Sequence, residues 1–354
     1  MARGVRTRIA RIVLTLRSNA PALPLLSSDV VDRPKVGIFR RLAPWAVTAA
    51  ALAWVFGRTE WARLVAAMDG ANLPVFLAVV VADKAVFFLV WALLQAEAIR
   101  RFVVPVSRRE VLAIRGGSEI FRAVNNPLAD AAFLVGVGRL SGGKLEAVVA
   151  AGVIPFATHL LVLLAQASLA LPFLPGGPAA NRDVALTALV GWSLVEVGAL
   201  LLRAARLRRH PLGARAVGWL EGVRARDLMP FFGCFAALAA FDVLIQGFAS
   251  RAFGVPIPWI ALTARIPILY LALSVPSVGN FGVREFTWAA LFEEYGSQDA
   301  LFAYAFATNG VFLLLNVLIG AIFFRRAFEL ATEVRRTARS RGLPEPLLHD
   351  AIDP

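Results

Sequence analysis

The sequence predicts an all-α protein, a polytopic membrane bundle of about six to eight spans with one or two re-entrant or broken helices. Hydrophobic residues make up 58% of the 354-residue chain, charged residues only 17%, and the mean hydropathy is +0.69. Soluble domains carry about a quarter charged residues, so this chain has too few charges to cover a water-facing surface. Its apolar residues also gather in long runs, which excludes an ordinary soluble globule and intrinsic disorder.

Long apolar runs recur along most of the chain and predict the membrane spans. They cover residues 42–56, 73–95, 147–171, 184–202, 228–250, 256–275 and 301–324. The first run is short for a crossing of about 20 residues.

The basic residues predict the orientation of these spans. Thirty of the 37 Lys and Arg residues lie in segments 1–41, 96–146, 203–227 and 325–354, and only four lie in the other connections. Basic residues accumulate on the cytoplasmic side of membrane proteins. We therefore expect a protein of the cell inner (cytoplasmic) membrane with both termini in the cytoplasm. Segment 1–41 would be a basic amphipathic arm and linker, 42–324 the transmembrane domain and 325–354 a basic tail.

Seven crossings conflict with two cytoplasmic termini, because the number of full crossings must then be even. In one solution residues 281–295 form an eighth crossing. In the other, which we favour, 256–275 and 281–295 fold into a re-entrant hairpin that enters from outside. The break between them, residues 276–282, holds one proline and two glycines. Such a segment is tolerated within a membrane only where it is buried in protein or lines a cavity.

The first half of the chain has a similar pair of short apolar stretches, 111–124 and 128–137. The first of them contains Arg115, Glu119 and Arg122. Neither stretch is long enough to cross alone, so together they predict a second hairpin, entering from the cytoplasmic side; amphipathic surface helices are the alternative. Hairpins that enter from opposite sides suggest an inverted repeat, a common design in transporters, which here is a hypothesis from hydropathy alone.

Polar groups inside apolar segments are costly to bury and usually face a cavity or a partner. The candidate substrate-binding residues are Asp83, Lys84, Asn126, Asp242, Gln246, Arg265, Asn280, Gly282, Arg284 and Glu285. Asp242 and Gln246 are four residues apart and share a helix face, so a cation from Arg265 or Arg284 could pair with Asp242. Ion pairs that only fix helix packing are the alternative role for these charges.

Two further predictions concern the contacts that polar side chains make with other helices. Asp83 and Lys84 are adjacent, so they point to different sides of their helix and at least one needs a partner on another helix. Asn309 and Asn316 are seven apart on the last span, and interhelical hydrogen bonding is their expected role.

The segment 277–286, with the sequence SVGNFGVREF, is the most informative stretch. Its two glycines let the backbone approach a ligand closely. A helix that begins after it would present free N–H groups and a partial positive charge, with Arg284 in its first turn. These features predict an anion cradle suited to a phosphate headgroup. Glu285 would orient the guanidinium or cap the helix.

At these residues the chain resembles the lysylphosphatidylglycerol synthase transmembrane, or flippase-like, family. The resemblance rests on the run Pro276-Ser277-Val278-Gly279-Asn280-Phe281-Gly282-Val283-Arg284-Glu285, followed by a short apolar helix and a last span. Asn125-Asn126-Pro127-Leu128 loosely matches the family's N-x-x-x-P segment, whereas Asp130 and Phe133 replace its usual Gly-x-x-x-R pattern. The resemblance covers most of residues 40–330. It implies a headgroup role for Arg284 and Glu285, and a membrane part without the soluble aminoacyl-transferring domain.

The resemblance and the buried charges together predict a protein that binds and translocates an anionic lipid or lipid-linked intermediate. A non-catalytic partner of a lipid or glycan assembly enzyme, or an intramembrane lipid-modifying enzyme, are the alternatives. The chain has one cysteine and three widely spaced histidines, so we expect no metal, no cofactor and no catalytic constellation. Expected partners are membrane lipids with anionic headgroups, and a second copy or a membrane enzyme, but no nucleic acid.

Overall fold

The computed structural model describes residues 68–123, 126–141, 145–203, 223–273, 280–326 and 328–329. The predicted arm 1–41, the predicted first span 42–56 and residues 274–279 of the backbone break lie outside them. Within the described ranges the chain is α-helical, apart from turns and one short 3₁₀ segment, and contains no strand.

The helices follow in this order: α1 (Leu73–Phe102), α2 (Arg108–Arg122), α3 (Asn126–Leu140), α4 (Leu145–Ala170), α5 (Gly177–Ala180), α6 (Arg182–Arg203), α7 (Ala225–Ala252), α8 (Trp259–Ala272), α9 (Val283–Phe292) and α10 (Gln298–Ile322). Helices α1, α4, α6, α7 and α10 are long and apolar enough to cross a membrane. The predicted fold class, an all-α membrane bundle, is confirmed.

Contacts at both ends of α1 and α7 define the two ends of the bundle. The Asn72 backbone N–H, just before α1, donates to the carbonyl of Ala252 at the end of α7, with 2.8 Å between nitrogen and oxygen. At the other end of the same two helices, Arg101 forms an ion pair with Asp227 at 2.7 Å. Helices α1 and α7 are therefore antiparallel. We call the end with Arg101 the basic end, and the end with Asn72 the opposite end.

Helices α2 and α3 form a hairpin that enters from the basic end. Each has 15 residues, or about 22 Å at 1.5 Å per residue, too short for a hydrocarbon core of about 30 Å. Val111 and Ile114 of α2 pack with Phe133 and Val137 of α3 in one buried cluster. Both helices therefore belong to the interior of the bundle, which rules out the alternative of surface helices.

Helices α8 and α9 form a second hairpin, entering from the opposite end. Arg265, in the middle of α8, donates a 2.8 Å hydrogen bond to the carbonyl of Leu291 near the end of α9, so the two helices run antiparallel. With 14 and 10 residues they span about 21 Å and 15 Å, less than either would need to cross alone. These lengths and directions match the favoured hairpin rather than two crossings.

The tips of the two hairpins meet inside the bundle. The Asn126 amide, at the start of α3, donates to the Asn280 side-chain oxygen at 3.0 Å. Helix α10 packs along the first hairpin through a small residue: a Cβ on Gly320 would lie 2.9 Å from the backbone nitrogen of Ile120 on α2. Such close approach through glycine is typical of membrane helix interfaces.

Aromatic side chains fill the half of the bundle nearer the opposite end. Trp288 and Tyr304 have ring centroids 4.7 Å apart, and Phe76 and Phe253 lie 4.9 Å apart. All four belong to the largest buried cluster. This half is solidly packed, and the open space lies nearer the basic end.

Candidate functional site

A cavity of about 720 Å³ lies between the hairpin tips and the basic end. Its polar lining residues are Asp83, Lys84, Gln95, Arg115, Glu119, Arg122, Asn126, Asp130, His159, Tyr270, Asn280, Arg284, Asn309 and Asn316. Four are cations and three are carboxylates, so the lining carries a net charge of +1 when all are ionised. That sign favours an anionic guest.

Five of these residues form what we call the inner ion cluster: Lys84, Arg115, Glu119, Arg122 and Asp130. Glu119 lies at the centre, 2.9 Å from Lys84, 2.9 Å from Arg122 and 3.3 Å from Arg115. Asp130 pairs with Arg115 at 3.0 Å and Arg122 at 2.8 Å. Three cations thus share two carboxylates. The cluster ties α1 to both helices of the first hairpin and leaves one positive charge in excess.

Arg284 is the cation of the cavity that lacks an ion pair. Its side chain is only 7% exposed and lines the cavity, and its Nε has no hydrogen-bond partner. Among the described residues, no carboxylate forms an ion pair with its guanidinium, which lies 5.1 Å from the ring centre of Phe312. The carboxylates of Asp83, Asp242 and Glu285 act on the guanidinium electrostatically but form no direct ion pair with it, so its Nε remains free to donate a hydrogen bond to an incoming anion.

The backbone before Arg284 explains how the guanidinium is presented. Asn280 has a φ of 62° and Gly282 a φ of 81°, left-handed values that turn the chain sharply into α9. Glu285 accepts a 2.7 Å hydrogen bond from the Gly282 N–H, and Asn309 donates to its other oxygen at 3.2 Å. Glu285 therefore caps the helix, which is one of its two expected roles. Asn309 makes the expected interhelical bond.

A second cluster of polar side chains, centred on Asp242 and Gln246 of α7, lies behind the cavity wall. Asp242 accepts a 3.1 Å hydrogen bond from Gln246 on the same face of α7, as the spacing predicts, and a further one from Tyr270. The Tyr304 hydroxyl donates to the carbonyl oxygen of Gln246. Asp83, 3% exposed, faces this group and interacts electrostatically with Asp242. Since Lys84 faces the inner ion cluster, the two adjacent residues do point to different sides of α1.

Arg265, another candidate substrate-binding residue, does not line the cavity. It sits near the opposite end, where it pairs with Glu294 and, at 3.8 Å, with Asp183. The reason is its position on α8, which enters from that end. Burial acts to raise the pKa of Glu294. Hydrogen bonds from Tyr295 and Arg265 outweigh this effect and hold that pKa below its usual range. Of the two cations expected near Asp242, Arg265 is therefore not the one, and Arg284 interacts with Asp242 electrostatically.

Aromatic rings form one wall of the cavity. His159 of α4 lies 5.2 Å from Trp91, 5.0 Å from Phe235 and 5.6 Å from Tyr270, measured between ring centres. Trp91, His159 and Tyr270 all line the cavity. This wall offers apolar surface beside the charged groups, as an amphiphile requires.

The cavity opens sideways along α4. Val149, Val153 and Phe156 line the cavity and are 42%, 52% and 58% exposed. Leu271 of α8 lines the same region and is 37% exposed. We call these four residues the lateral seam. The seam therefore places exposed apolar surface beside the polar lining of the cavity.

The structure brings together half of the ten candidate substrate-binding residues. The residues that line the cavity are Asp83, Lys84, Asn126, Asn280 and Arg284. Four more lie behind the residues that line the cavity and are hydrogen-bonded in pairs: Gly282 with Glu285, and Gln246 with Asp242. Arg265 alone of the ten lies at the opposite end.

Four charged lining residues were absent from the predicted site: Arg115, Glu119, Arg122 and Asp130. Three of them were recognisable from their spacing, because residues at i, i+4 and i+7 share one helix face. Asp130 stood out only as a departure from the family pattern. Its role depends on the turn between α2 and α3, which brings it back beside Arg122.

No protein-family model matches the sequence, and no curated protein matches it.

Proposed function

We propose that this protein binds an anionic lipid headgroup in the cavity and translocates the lipid across the membrane. The observation that carries the proposal is Arg284, a buried guanidinium that lines the cavity and forms no ion pair with any described residue. It stands in the first turn of α9, where free N–H groups add partial positive charge. A phosphate bound there would accept charge-assisted hydrogen bonds from the guanidinium, whose Nε has no other partner.

The lateral seam favours a lipid over a small soluble anion. A phosphate held at Arg284 would leave its hydrocarbon tails free to pass between Val153 and Leu271 into the bilayer. The tails would then stay in an apolar environment, where burial is favourable. A water-soluble phosphate gains nothing from this opening.

The orientation follows from the basic residues. We place the basic end in the cytoplasm of the cell, at its inner membrane, because Lys and Arg are retained on that side. The cavity would then open towards the inner leaflet, and the packed half around Trp288 would close it from outside. Translocation requires the contacts of Arg265 with Glu294 and Asp183 to open in a second state.

The resemblance to the flippase-like lysylphosphatidylglycerol synthase transmembrane family supports the same proposal. On this proposal the segment from Asn280 to Glu285 is the headgroup-binding turn, with Arg284 as the ligand-binding cation and Glu285 as the helix cap. The described backbone and contacts fit those two roles.

The test is a lipid-exposure assay in liposomes that contain the purified full-length protein. Fluorescently labelled phosphatidylglycerol is placed in both leaflets, and a membrane-impermeant reductant reports how fast inner-leaflet lipid becomes exposed. We expect Arg284→Ala to lower the exposure rate at least about tenfold, since one lost charge-assisted contact is worth roughly 1.5–3 kcal/mol. The matched control is Arg108→Ala, an exposed arginine of the basic end that pairs with Glu97 away from the cavity.

Wild-type exposure rates in Arg284→Ala would overturn the proposal, as would an equal loss in Arg108→Ala. Arg284→Lys keeps the charge and serves as the second variant, with partial activity expected. Thermal unfolding of each detergent-solubilised variant checks the fold. Glycerol phosphate, offered as a water-soluble ligand without hydrocarbon tails, distinguishes a lipid site from a site for free phosphate: binding as tight as that of the labelled lipid would indicate the latter and contradict the lipid proposal.

A further inference from the structure

Three oxygen atoms of side chains that line the cavity have no hydrogen-bond partner among the described residues: Oδ1 of Asp83, Oε1 of Gln95 and Oδ1 of Asn316. The three side chains are 3%, 9% and 8% exposed. A buried acceptor without a partner is costly, and a ligand that brings hydrogen-bond donors removes this cost. A phosphodiester only accepts hydrogen bonds, so the phosphate proposed at Arg284 leaves these three acceptors unserved.

One face of α1 carries two of these acceptors. Residues 83, 87, 91 and 95 all line the cavity and recur every four positions, so they form one ridge of the helix. At 1.5 Å per residue, Gln95 lies about 18 Å beyond Asp83, towards the basic end. The acceptors are therefore spread over a greater length than a phosphate group covers.

Helix α10 carries the third acceptor in the same direction. Asn309 is hydrogen-bonded to Glu285 at the start of α9, whereas Phe323, at the end of α10, lies against Gly116 in the middle of α2. Helix α10 therefore runs from the hairpin tips towards the basic end. Asn316 lies seven residues beyond Asn309, or about 10 Å along the helix. It thus lies on the basic-end side of the turn that presents the phosphate site.

Aromatic rings lie between the two acceptors of α1. Phe87 and Trp91 stand on the same ridge, between Asp83 and Gln95, and line the cavity. The face of an aromatic ring is electron-rich and attracts the weakly positive C–H bonds of a sugar-like ring. A hydroxyl group both donates and accepts hydrogen bonds, so it fits the side chain of Gln95 or Asn316 in either orientation of the amide.

We propose that the headgroup is a polyhydroxylated ring, of the sugar or cyclitol class, joined to the lipid through its phosphate. The phosphate binds Arg284, the hydroxyl groups bind Asp83, Asn316 and Gln95, and the ring lies against Trp91. This inference rests on the proposed headgroup site and names the class of substrate for it.

The cavity favours this headgroup over smaller or cationic ones. Its volume of about 720 Å³ lies in the range of about 300–1,000 Å³ that holds drug-sized ligands, far more than a phosphate alone needs. An ammonium group is the competing ligand for Asp83. However, two of the three acceptors belong to neutral amides, and four cations already line the cavity, which disfavours a further positive charge.

The experiment compares lipids that share a phosphodiester and differ in their hydroxyl groups. Detergent-solubilised full-length protein is titrated calorimetrically at pH 7 with dioctanoyl phosphatidylinositol, with dioctanoyl phosphatidylethanol, which lacks hydroxyl groups, and with dioctanoyl phosphatidylethanolamine. We expect phosphatidylinositol to bind at least about tenfold more tightly than phosphatidylethanol, as two or more net hydrogen bonds require. Decyl glucosyl phosphate against decyl ethyl phosphate repeats the comparison with a sugar, and the larger of the two preferences identifies the ring.

Side-chain variants locate the origin of this preference. Gln95→Leu, Asn316→Leu and Trp91→Leu should each lower the affinity ratio of phosphatidylinositol to phosphatidylethanol about three- to tenfold. The matched control is Trp192→Leu, an exposed tryptophan of α6 that donates to Ser168 and should keep the wild-type ratio. Thermal unfolding shows whether each variant is folded.

Equal affinities of the wild type for phosphatidylinositol and phosphatidylethanol would overturn the inference while leaving the phosphate site intact. Tighter binding of phosphatidylethanolamine than of phosphatidylinositol would show that Asp83 binds an ammonium instead. A wild-type ratio in folded Gln95→Leu, Asn316→Leu and Trp91→Leu would place the hydroxyl contacts elsewhere. If no lipid binds, or if Arg284→Ala binds phosphatidylethanol as tightly as the wild type does, the proposed function itself fails.

Discussion

Asn126 donates a 3.0 Å hydrogen bond to Asn280, joining the tips of two hairpins that are 154 residues apart in sequence. The same Asn126 accepts a 3.2 Å hydrogen bond from Arg122. A continuous polar chain therefore runs from the inner ion cluster to the turn that presents Arg284. On the proposed function, a headgroup bound at Arg284 would therefore act on both hairpins through this contact.

A double-mutant cycle at the hairpin tips tests this connection. We expect Asn126→Ala and Asn280→Gly each to lower the unfolding free energy in detergent by about 0.5–1.5 kcal/mol, the usual net worth of a hydrogen bond. Glycine is chosen at 280 because φ is 62° there. The double variant should lose less than the sum of the two single losses. Strictly additive losses would show that the two side chains do not stabilise each other.

Substituting Gly320 tests the packing of α10 against the first hairpin. A Cβ at this position would lie 2.7 Å from the Cβ of Ile120 and 2.9 Å from its backbone nitrogen, so Gly320→Ala must push the helices apart. We expect a loss of about 1–3 kcal/mol, typical of overpacking, in denaturant or thermal unfolding. Gly310 lies on the same helix, and a Cβ added there would meet no atom within 4 Å, so Gly310→Ala should be neutral or stabilising. Equal effects at both glycines would contradict this packing.

Removing the central carboxylate of the inner ion cluster should be strongly destabilising. Glu119→Gln leaves Lys84, Arg115 and Arg122 with Asp130 as their remaining carboxylate. Breaking a buried ion pair from one side typically costs about 3–5 kcal/mol, and we expect a loss of that size in thermal unfolding.

Two further variants control this measurement. Glu97 pairs with Arg108 at the surface, so Glu97→Gln should cost less than about 1 kcal/mol. Lys84→Gln, combined with Glu119→Gln, removes one of the uncompensated cations and should recover part of the lost stability. A loss for Glu119→Gln no larger than that for Glu97→Gln would show that the cluster does not stabilise the bundle.

The contact between Arg265 and Glu294 at the opposite end should make the stability of the protein depend on pH in the acidic range. Since the pKa of Glu294 lies below its usual range when the protein is folded, the carboxylate stabilises the folded state at neutral pH. This contribution is lost as pH falls through the folded pKa, below about 4.3, the usual value for glutamate. The difference in melting temperature between wild type and Glu294→Gln should therefore shrink between pH 6 and pH 3.

The neighbouring Glu293 provides the control for the acid titration. It is exposed and forms no ion pair with any other described residue, so Glu293→Gln should keep the wild-type acid dependence. If the melting-temperature difference for Glu294→Gln stays constant across the range, ionisation of Glu294 does not stabilise the folded protein.

Hydropathy predicted the long helices because crossing a bilayer demands an apolar run of fixed length, whatever the helix touches. Helix α7, for example, has its apolar run at 228–250 and extends from Ala225 to Ala252. The turn before Arg284 was also predictable, since glycines in an apolar run mark a local break in the backbone. The partners of individual side chains were harder to predict from the sequence, because they depend on which helices pack together. Depth alone left Arg265 and Arg284 as alternative cations for Asp242; the packing of the hairpin places Arg265 beside Glu294 and leaves Arg284 to act on Asp242.

The central claim is that Arg284 holds an anionic headgroup in the cavity, and native mass spectrometry of the purified protein tests it most directly. Wild type and Arg108→Ala, released gently from detergent, should each carry a bound phospholipid of one anionic class. Arg284→Ala should lose that adduct while keeping the wild-type melting profile. An anionic lipid retained at wild-type occupancy by a folded Arg284→Ala protein would contradict the account.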